Sequence, residues 1–290
     1  MSKDLAASVR ARLLNIAKAE GSDFNQVLVR YALERFLYRL GRSPHADRFL
    51  LKGALLFTLW YDMPHRPTRD ADLLGFGPSD LESIGQTFRE IAAIAVEDGI
   101  TFDPATVKAE EIRKDAGYVG ARVVMTGELA QARCRTQIDI GYGDAVTPGP
   151  VQARYPVLIE DFPAPQLRTY PVYTVIAEKL HAIALFGMTN TRVKDYLDLW
   201  VMLDRESLDA NTLAQAISAT FTRRGMAVPT NFPVGLTDEF SADPSRQSLW
   251  TAFIRKNELP MIPLAEVVEK IRSSLGPAID HTARMPILIK

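Results

Sequence analysis

The run HRPTRDADLLGFG, from His65 to Gly77, carries two carboxylates one residue apart, followed by an apolar pair. The pattern predicts a strand from about Arg69 to Gly75. On a strand, positions i and i+2 share a face, so Asp70 and Asp72 project together and Ala71 turns away. Two like charges held that close repel unless solvent, arginines or a bound cation compensates them. Arg66 and Arg69 are near enough in sequence to be partners. A divalent cation such as Mg²⁺ suits the pair too, because it is typically held by one or two carboxylates plus substrate phosphates. Alone, Asp-x-Asp is a common chance pattern, and acids at the exposed start of a strand are its default explanation.

Two further features shift that balance. In RCRTQIDIGYG (Arg133–Gly143), Thr136, Ile138 and Ile140 alternate with Gln137 and Asp139, the period of a strand with two unlike faces. An acid between two isoleucines needs a reason, and a neighbouring acid pair with its counter-ion would supply one. Upstream, the apolar run Phe49-Leu50-Leu51 is closed by Lys52-Gly53 and leads into the helical stretch ALLFTLWY. Backbone N–H groups at such a turn can meet phosphate, and glycine permits close approach.

A second group of charged residues lies further on. Lys179 sits among Val175, Ile176, Leu180 and Ile183, where a lysine can simply snorkel its ammonium to water. Glu178 and His181 beside it read as ordinary surface residues. In TRVKDYLDLW, Asp195 and Asp198 are i,i+3 neighbours, and Lys194 with Asp198 forms an i,i+4 pair worth about 0.2–0.5 kcal/mol on an exposed helix. A salt-bridged helix start, capped by Thr191, accounts for that stretch without chemistry. Histidines 45, 65, 181 and 281 have no zinc-ligand spacing, Cys134 reads as a small buried residue, and neither a nucleophile elbow nor a Walker-type loop is present.

The elements that must position these residues follow from periodicity. Helices are expected over Asp4–Lys18, Asp23–Leu40 (with Gly41 as the residue just past its end) and Ser79–Asp98, the last capped by Ser79 or Asp80. Val107–Arg113, Tyr118–Met125 and Arg133–Gly143 form a strand meander. The proline-rich stretch from Pro148 to Pro171 shows neither strand nor helix period and is taken as the domain boundary. Beyond it, helices are expected over Tyr173–Phe186, Arg192–Asp204, Ala210–Arg224, Ser245–Asn257 and Pro263–Ser274. The chain is therefore read as α+β: residues 1–160 form a mixed sheet with flanking helices, and residues 161–290 form a helical domain.

Composition narrows the class. The 290 residues are 47% hydrophobic and 24% charged, as a folded globular chain should be. No apolar run spans a bilayer, the N-terminus mixes charge among its apolar residues, and a single cysteine fits a reducing compartment, so a cytoplasmic protein without membrane partners is expected. Net charge is −1, yet residues 1–60 hold ten Lys/Arg against five Asp/Glu. Arg30, Arg35, Arg39 and Arg42 recur at helical spacing. They could track an RNA backbone, as could Arg223-Arg224, but a solvated face or internal ion pairs are the commoner outcome.

Three blocks, LKGALLFTLWYDMPHRPTRDADLLGFG, CRTQIDIGYGD and AEKLHAIALFGMTNTRVKDYLDLW, together resemble the AbiEii/AbiGii toxin family, which includes the MenT toxins. The resemblance runs from about residue 20 to 205. It implies a polymerase β-type nucleotidyltransferase sheet and a helical C-terminal domain in a bilobed arrangement. It further implies a toxin of a toxin–antitoxin pair that moves NMP from an NTP to RNA, with a tRNA 3′ end as the expected acceptor. Asp70, Asp72 and Asp139 would hold Mg²⁺, with Asp139 alternatively activating the acceptor hydroxyl. Gly53, Ala54, Arg66 and Lys179 would meet the triphosphate, and Asp195 would assist, with Asp198 orienting Lys194 or Arg192. Where the family's turn usually reads Gly-Gly or Gly-Ser, this chain has Gly53-Ala54 and lacks a serine hydroxyl. A cognate antitoxin is implied, and in part of the family an antitoxin acts by phosphorylation, for which Thr68 is the placed hydroxyl. A protein acceptor, or a nucleotide-binding module without turnover, remain the alternatives.

Overall fold

The structure, a computed structural model, describes residues 3–61, 68–113 and 119–284. Arg66 lies outside the described residues. The chain divides into two compact units, the first comprising residues up to Gly143 together with Val151–Thr169, the second Asp144–Pro150 together with the chain from Tyr170 onward.

The first unit is built in the order α1 (Lys3–Glu20), α2 (Phe24–Arg42), β1 (Phe49–Lys52), α3 (Leu55–Tyr61), β2 (Asp70–Gly75), α4 (Leu81–Ala92), β3 (Ile100–Phe102), β4 (Lys108–Arg113), β5 (Val119–Leu129), β6 (Ala132–Tyr142), β7 (Val151–Arg154) and β8 (Gln166–Thr169). Its strands form one eight-stranded sheet in the order β3-β5-β6-β2-β1-β8-β7, with β4 also pairing β5. The sheet is mixed: β2 runs parallel to β6 and β1 to β8, whereas β1–β2, β5–β6 and β7–β8 are antiparallel. Alternation decides what each face does. Ala71, Leu73, Ile138, Ile140, Ala121 and Val123 are buried together, while Asp70, Asp72, Asp139 and Arg122 alternate with them and so share the opposite face. Phe36 of α2, Phe88 of α4 and Phe49 of β1 close the core with ring centroids 5.5–5.7 Å apart.

Several expectations need correction. Gly41 does not end its helix: α2 continues to Arg42 and is capped by Ser43. A Cβ at Gly41 would strike the backbone carbonyl of Gln166, so this glycine serves the close approach of β8. The helix expected to reach Asp98 stops at Ala92, and the short strand β3 follows. The proline-rich stretch contains β7 and β8, which return to the sheet of the first unit. Strands of four residues show too little periodicity to stand out among prolines.

The second unit contains α5 (Val172–Phe186), α6 (Val193–Arg205), α7 (Ala210–Arg223), α8 (Asp238–Ala242), α9 (Pro244–Lys256) and α10 (Leu264–Arg284). The last helix passes through Pro277 rather than stopping near Ser274. Val267, Val268, Ile271, Leu275, Ala278 and Ile279 are all buried along it, and that packing outweighs the proline's local cost.

The basic stripe on α2 is not a stripe. Arg30 pairs with Glu20 at 2.7 Å. Arg35 and Arg39 are buried and converge on the buried Asp98, at 2.9 and 2.7 Å. Arg39 is held by both Asp98 oxygens and by the carbonyls of Ile94 and Ile100, so α2 is locked to the chain leading into β3. Two guanidiniums facing one carboxylate would repel in isolation, and Glu34 adds a second acid at 3.3 Å from Arg35. Replacing Asp98 with alanine would strand both arginines in the core. Chemical denaturation of Asp98→Ala should show a loss of about 3–5 kcal/mol, the cost of breaking a buried pair from one side.

Candidate active site

The site begins with strand register. Asp72 of β2 and Asp139 of β6 are direct partners in the parallel pair, with Asp70 opposite Gln137. Direct partners point to the same face, so the three acids expected to act together do share one surface of one sheet. Asp70 and Asp72 are half-buried and Asp139 is buried. Two cations lie in register with them. Arg122 of β5 grips Asp139 with a two-pronged pair, Nε to Oδ1 and Nη2 to Oδ2, both at 2.8 Å, and this hydrogen bonding pushes the Arg122 pKa up. Lys52 of β1 is the register partner of Asp72. Neither was singled out from the sequence, although the polar position of Arg122 between Ala121 and Val123 was a usable signal. Among the described residues, no three His, Cys, Asp or Glu side chains are already gathered as a cation cage.

Gly53 closes the turn between β1 and α3 with φ +74°. A Cβ there would run into the Asp72 carboxylate, with the Asp72 Cβ itself only 2.8 Å away. Gly53 is thus needed twice, for a left-handed backbone and for the space beside Asp72. Ala54 follows it and precedes the first turn of α3. Thr68 donates its hydroxyl proton to Asp70 Oδ1 at 2.8 Å, so this hydroxyl touches the acid pair directly.

In the helical unit, Lys179 does not snorkel to water. Its Nζ lies 2.8 Å from Asp195 Oδ1 and 2.6 Å from Asp198 Oδ2, with both carboxylates buried and the lysine side chain only 13% exposed. Arg192 completes the group with Nε 2.7 Å from Asp195 Oδ2. Two cations and two anions cancel, which lets the cluster be buried at all. Burial alone would raise the Asp195 pKa, but Lys179 and Arg192 outweigh it and hold the carboxyl below the usual range. Asp198 therefore acts on Lys179. The expected Thr191 cap is absent: the Arg192 N–H is met by the Asn190 side chain at 2.9 Å.

The neighbours of Lys179 are not surface residues either. His181 is buried edge-on to Phe221, and burial followed by the nearby Arg224 lowers its pKa to about 4, so it is neutral near pH 7. Arg224 bridges Asp144 at 3.0 Å and Glu178 at 3.2 Å, so its charge is met within the second unit. Cys134 is buried, as expected, and its thiol pKa is pushed up to about 11 by burial.

A family profile, the nucleotidyl transferase AbiEii toxin of type IV toxin–antitoxin systems, matches residues 35–275. The chain belongs to the AbiEii nucleotidyltransferase toxin family. Among solved structures it is similar to MenT4, a nucleotidyltransferase toxin of Mycobacterium tuberculosis. That match has a TM-score of 0.53 and 16% identity and covers 97% of this chain and 99% of that one. It is also similar to the structure of JHP933 from Helicobacter pylori, with a TM-score of 0.49 and 17% identity over 86% and 89% of the two chains. No curated protein sequence matches. No described helix is long and apolar enough to cross a membrane.

Membership in the AbiEii family supplies the NTP as substrate and a cognate antitoxin as partner. It also gives the α+β mixed sheet its expected kinship, since the MenT4 likeness is one of fold. Gly53 is the most direct probe of the acid site. Gly53→Ala should cost about 1–2 kcal/mol for its left-handed backbone and should displace Asp72. Nucleotidyl transfer is expected to fall at least tenfold while the circular dichroism spectrum stays that of the parent.

Proposed function

We propose that this AbiEii-family toxin transfers NMP from an NTP to an RNA acceptor, a tRNA 3′ end being the favoured one. The observation that carries the reading is the register match of Asp72 with Asp139 beside Asp70 on the polar face of the sheet. The acceptor hydroxyl would attack the α-phosphorus, forming one P–O bond while the bond to the β-phosphate breaks and pyrophosphate leaves.

The donor set suits a hard divalent cation: carboxylate oxygens on one face, with no soft ligand among them. Asp70 and Asp72 would hold Mg²⁺, and Asp139 would join them on release from Arg122. When bound, the ion would neutralise charge on the reacting phosphate oxygens. The remaining roles fall to protein groups. Gly53 and Ala54 would offer backbone N–H groups to the triphosphate, with Arg66 adding a positive charge. Asp139, if not a ligand, would take the proton of the acceptor hydroxyl. Lys179, braced by Asp195 and Asp198, would meet the phosphates as a fixed point charge, and Asp195 assists by holding it.

Incubation with total tRNA, Mg²⁺ and each α-labelled NTP in turn tests the reading. Label should enter tRNA from one nucleotide, and Asp72→Ala and Lys179→Ala should each lower incorporation by at least about a hundredfold, or roughly 2.7 kcal/mol of barrier. Label appearing on protein instead would move the acceptor from RNA to a protein hydroxyl. Nucleotide binding without label anywhere would mean a site that holds NTP and does not turn it over.

Regulation can act through Thr68. Its hydroxyl already touches Asp70, so phosphorylation would put about −1.5 to −2 charges against the acid pair and repel both cation and triphosphate. A phosphorylating antitoxin should silence the parent enzyme and leave Thr68→Val active. A Thr68→Val enzyme silenced as fully as the parent would exclude this route.

A further inference from the structure

Three of the four arginines on α2 are neutralised inside the first unit, by Glu20 and Asp98. Arg42 is not. Its guanidinium donates to the Tyr38 hydroxyl at 3.2 Å, and no carboxylate lies within ion-pair distance of it among the described residues. Arg154, at the end of the edge strand β7, makes neither an ion pair nor a side-chain hydrogen bond among those residues. Both are exposed, and both line one open cavity of about 490 Å³. Tyr38, Gly41, Pro163, Ala164 and Gln166 supply the rest of its wall, and no acidic residue contributes among the described residues. All of these residues belong to the sheet unit.

A pocket with two guanidiniums and no carboxylate is built for an anion. Arginine's planar fork matches phosphate oxygens, and charge-assisted bonds of this kind are among the strong ones. The cavity is larger than a lone ion needs, and its proline, alanine and glutamine walls offer apolar contact plus an amide. We propose that this pocket binds one nucleotide residue, with its phosphate between Arg42 and Arg154. Arg42 stands in the last turn of α2, where part of its charge offsets the negative helix end. Arg154 has no such second role and carries the larger share of the attraction. The nucleotide can belong to an RNA strand or be free. The strand version rests on the RNA-acceptor reading above; the free version does not.

The test uses the full chain in chelator, without Mg²⁺, and reads binding rather than transfer. A short 5′-phosphorylated oligoribonucleotide and AMP are titrated separately against the parent, Arg154→Gln and Arg42→Gln/Arg154→Gln, with thermal melts confirming that each variant is folded. Arg154→Gln should weaken the bound ligand about tenfold or more, the loss expected for one charge-assisted hydrogen bond. For the oligonucleotide, the double variant should also reduce the salt slope by about 0.7 per phosphate neutralised. An effect on the oligonucleotide alone assigns the pocket to an RNA strand, and an effect on AMP assigns it to free nucleotide. Unchanged affinity in both variants, or no binding of either ligand to the parent, overturns the proposal. Labelled-nucleotide transfer, abolished or not by Asp72→Ala, judges the RNA-acceptor reading independently of either result.

Discussion

The parallel pairing of β2 with β6 is the constraint from which the rest of this site follows. Matching Asp72 with Asp139 places three carboxylates on one surface, because residues in register share a face and side chains alternate along each strand. A slip of one residue would turn the acids into the helix-covered core and expose Ile138 and Ile140. The apolar face therefore fixes the acidic one: burying Ala71, Leu73, Ile138 and Ile140 leaves Asp70, Asp72 and Asp139 nowhere else to point.

Concentrated negative charge then dictates its surroundings. Arg122 clamps Asp139 from β5, and Lys52 stands in register with Asp72 from β1, so each acid-bearing strand has a basic residue on its outer neighbour. Gly53 leaves room for the Asp72 carboxylate that any larger residue would fill. The arrangement holds acids at a density that a sheet would not otherwise tolerate, while keeping their oxygens directed to one place.

The same balance recurs away from the acid strands. Arg35 and Arg39 share Asp98 in the core of the first unit. In the helical unit, Lys179 and Arg192 are matched by Asp195 and Asp198. Each cluster is buried, and each survives because its charges nearly cancel locally. By contrast, Arg42 and Arg154 line a cavity with no carboxylate among the described residues of its wall.

Much of this was legible in the chain itself. Local alternation placed Asp70, Asp72 and Asp139 on polar strand faces, and the strand–turn–helix pattern placed Gly53 correctly, because both depend only on residues a few positions apart. The long helices were legible for the same reason, and the three blocks around the acids and Lys179 pointed to the family. Pairing was not legible. Whether Arg35 and Arg39 formed a solvent-facing stripe or a buried clamp depended on Asp98, roughly sixty residues away, and spacing along one helix cannot tell these apart. Spacing along α2 fits a helix end at Gly41, whereas the close approach of β8 is what requires the glycine, and the two buried aspartates that hold Lys179 come from α6, which periodicity along α5 cannot reveal. The sequence by itself determined which faces are apolar and where the acids stand on them, since periodicity is a local property. Only the tertiary structure decided which charges meet, because that choice is made by segments distant in sequence and close in space.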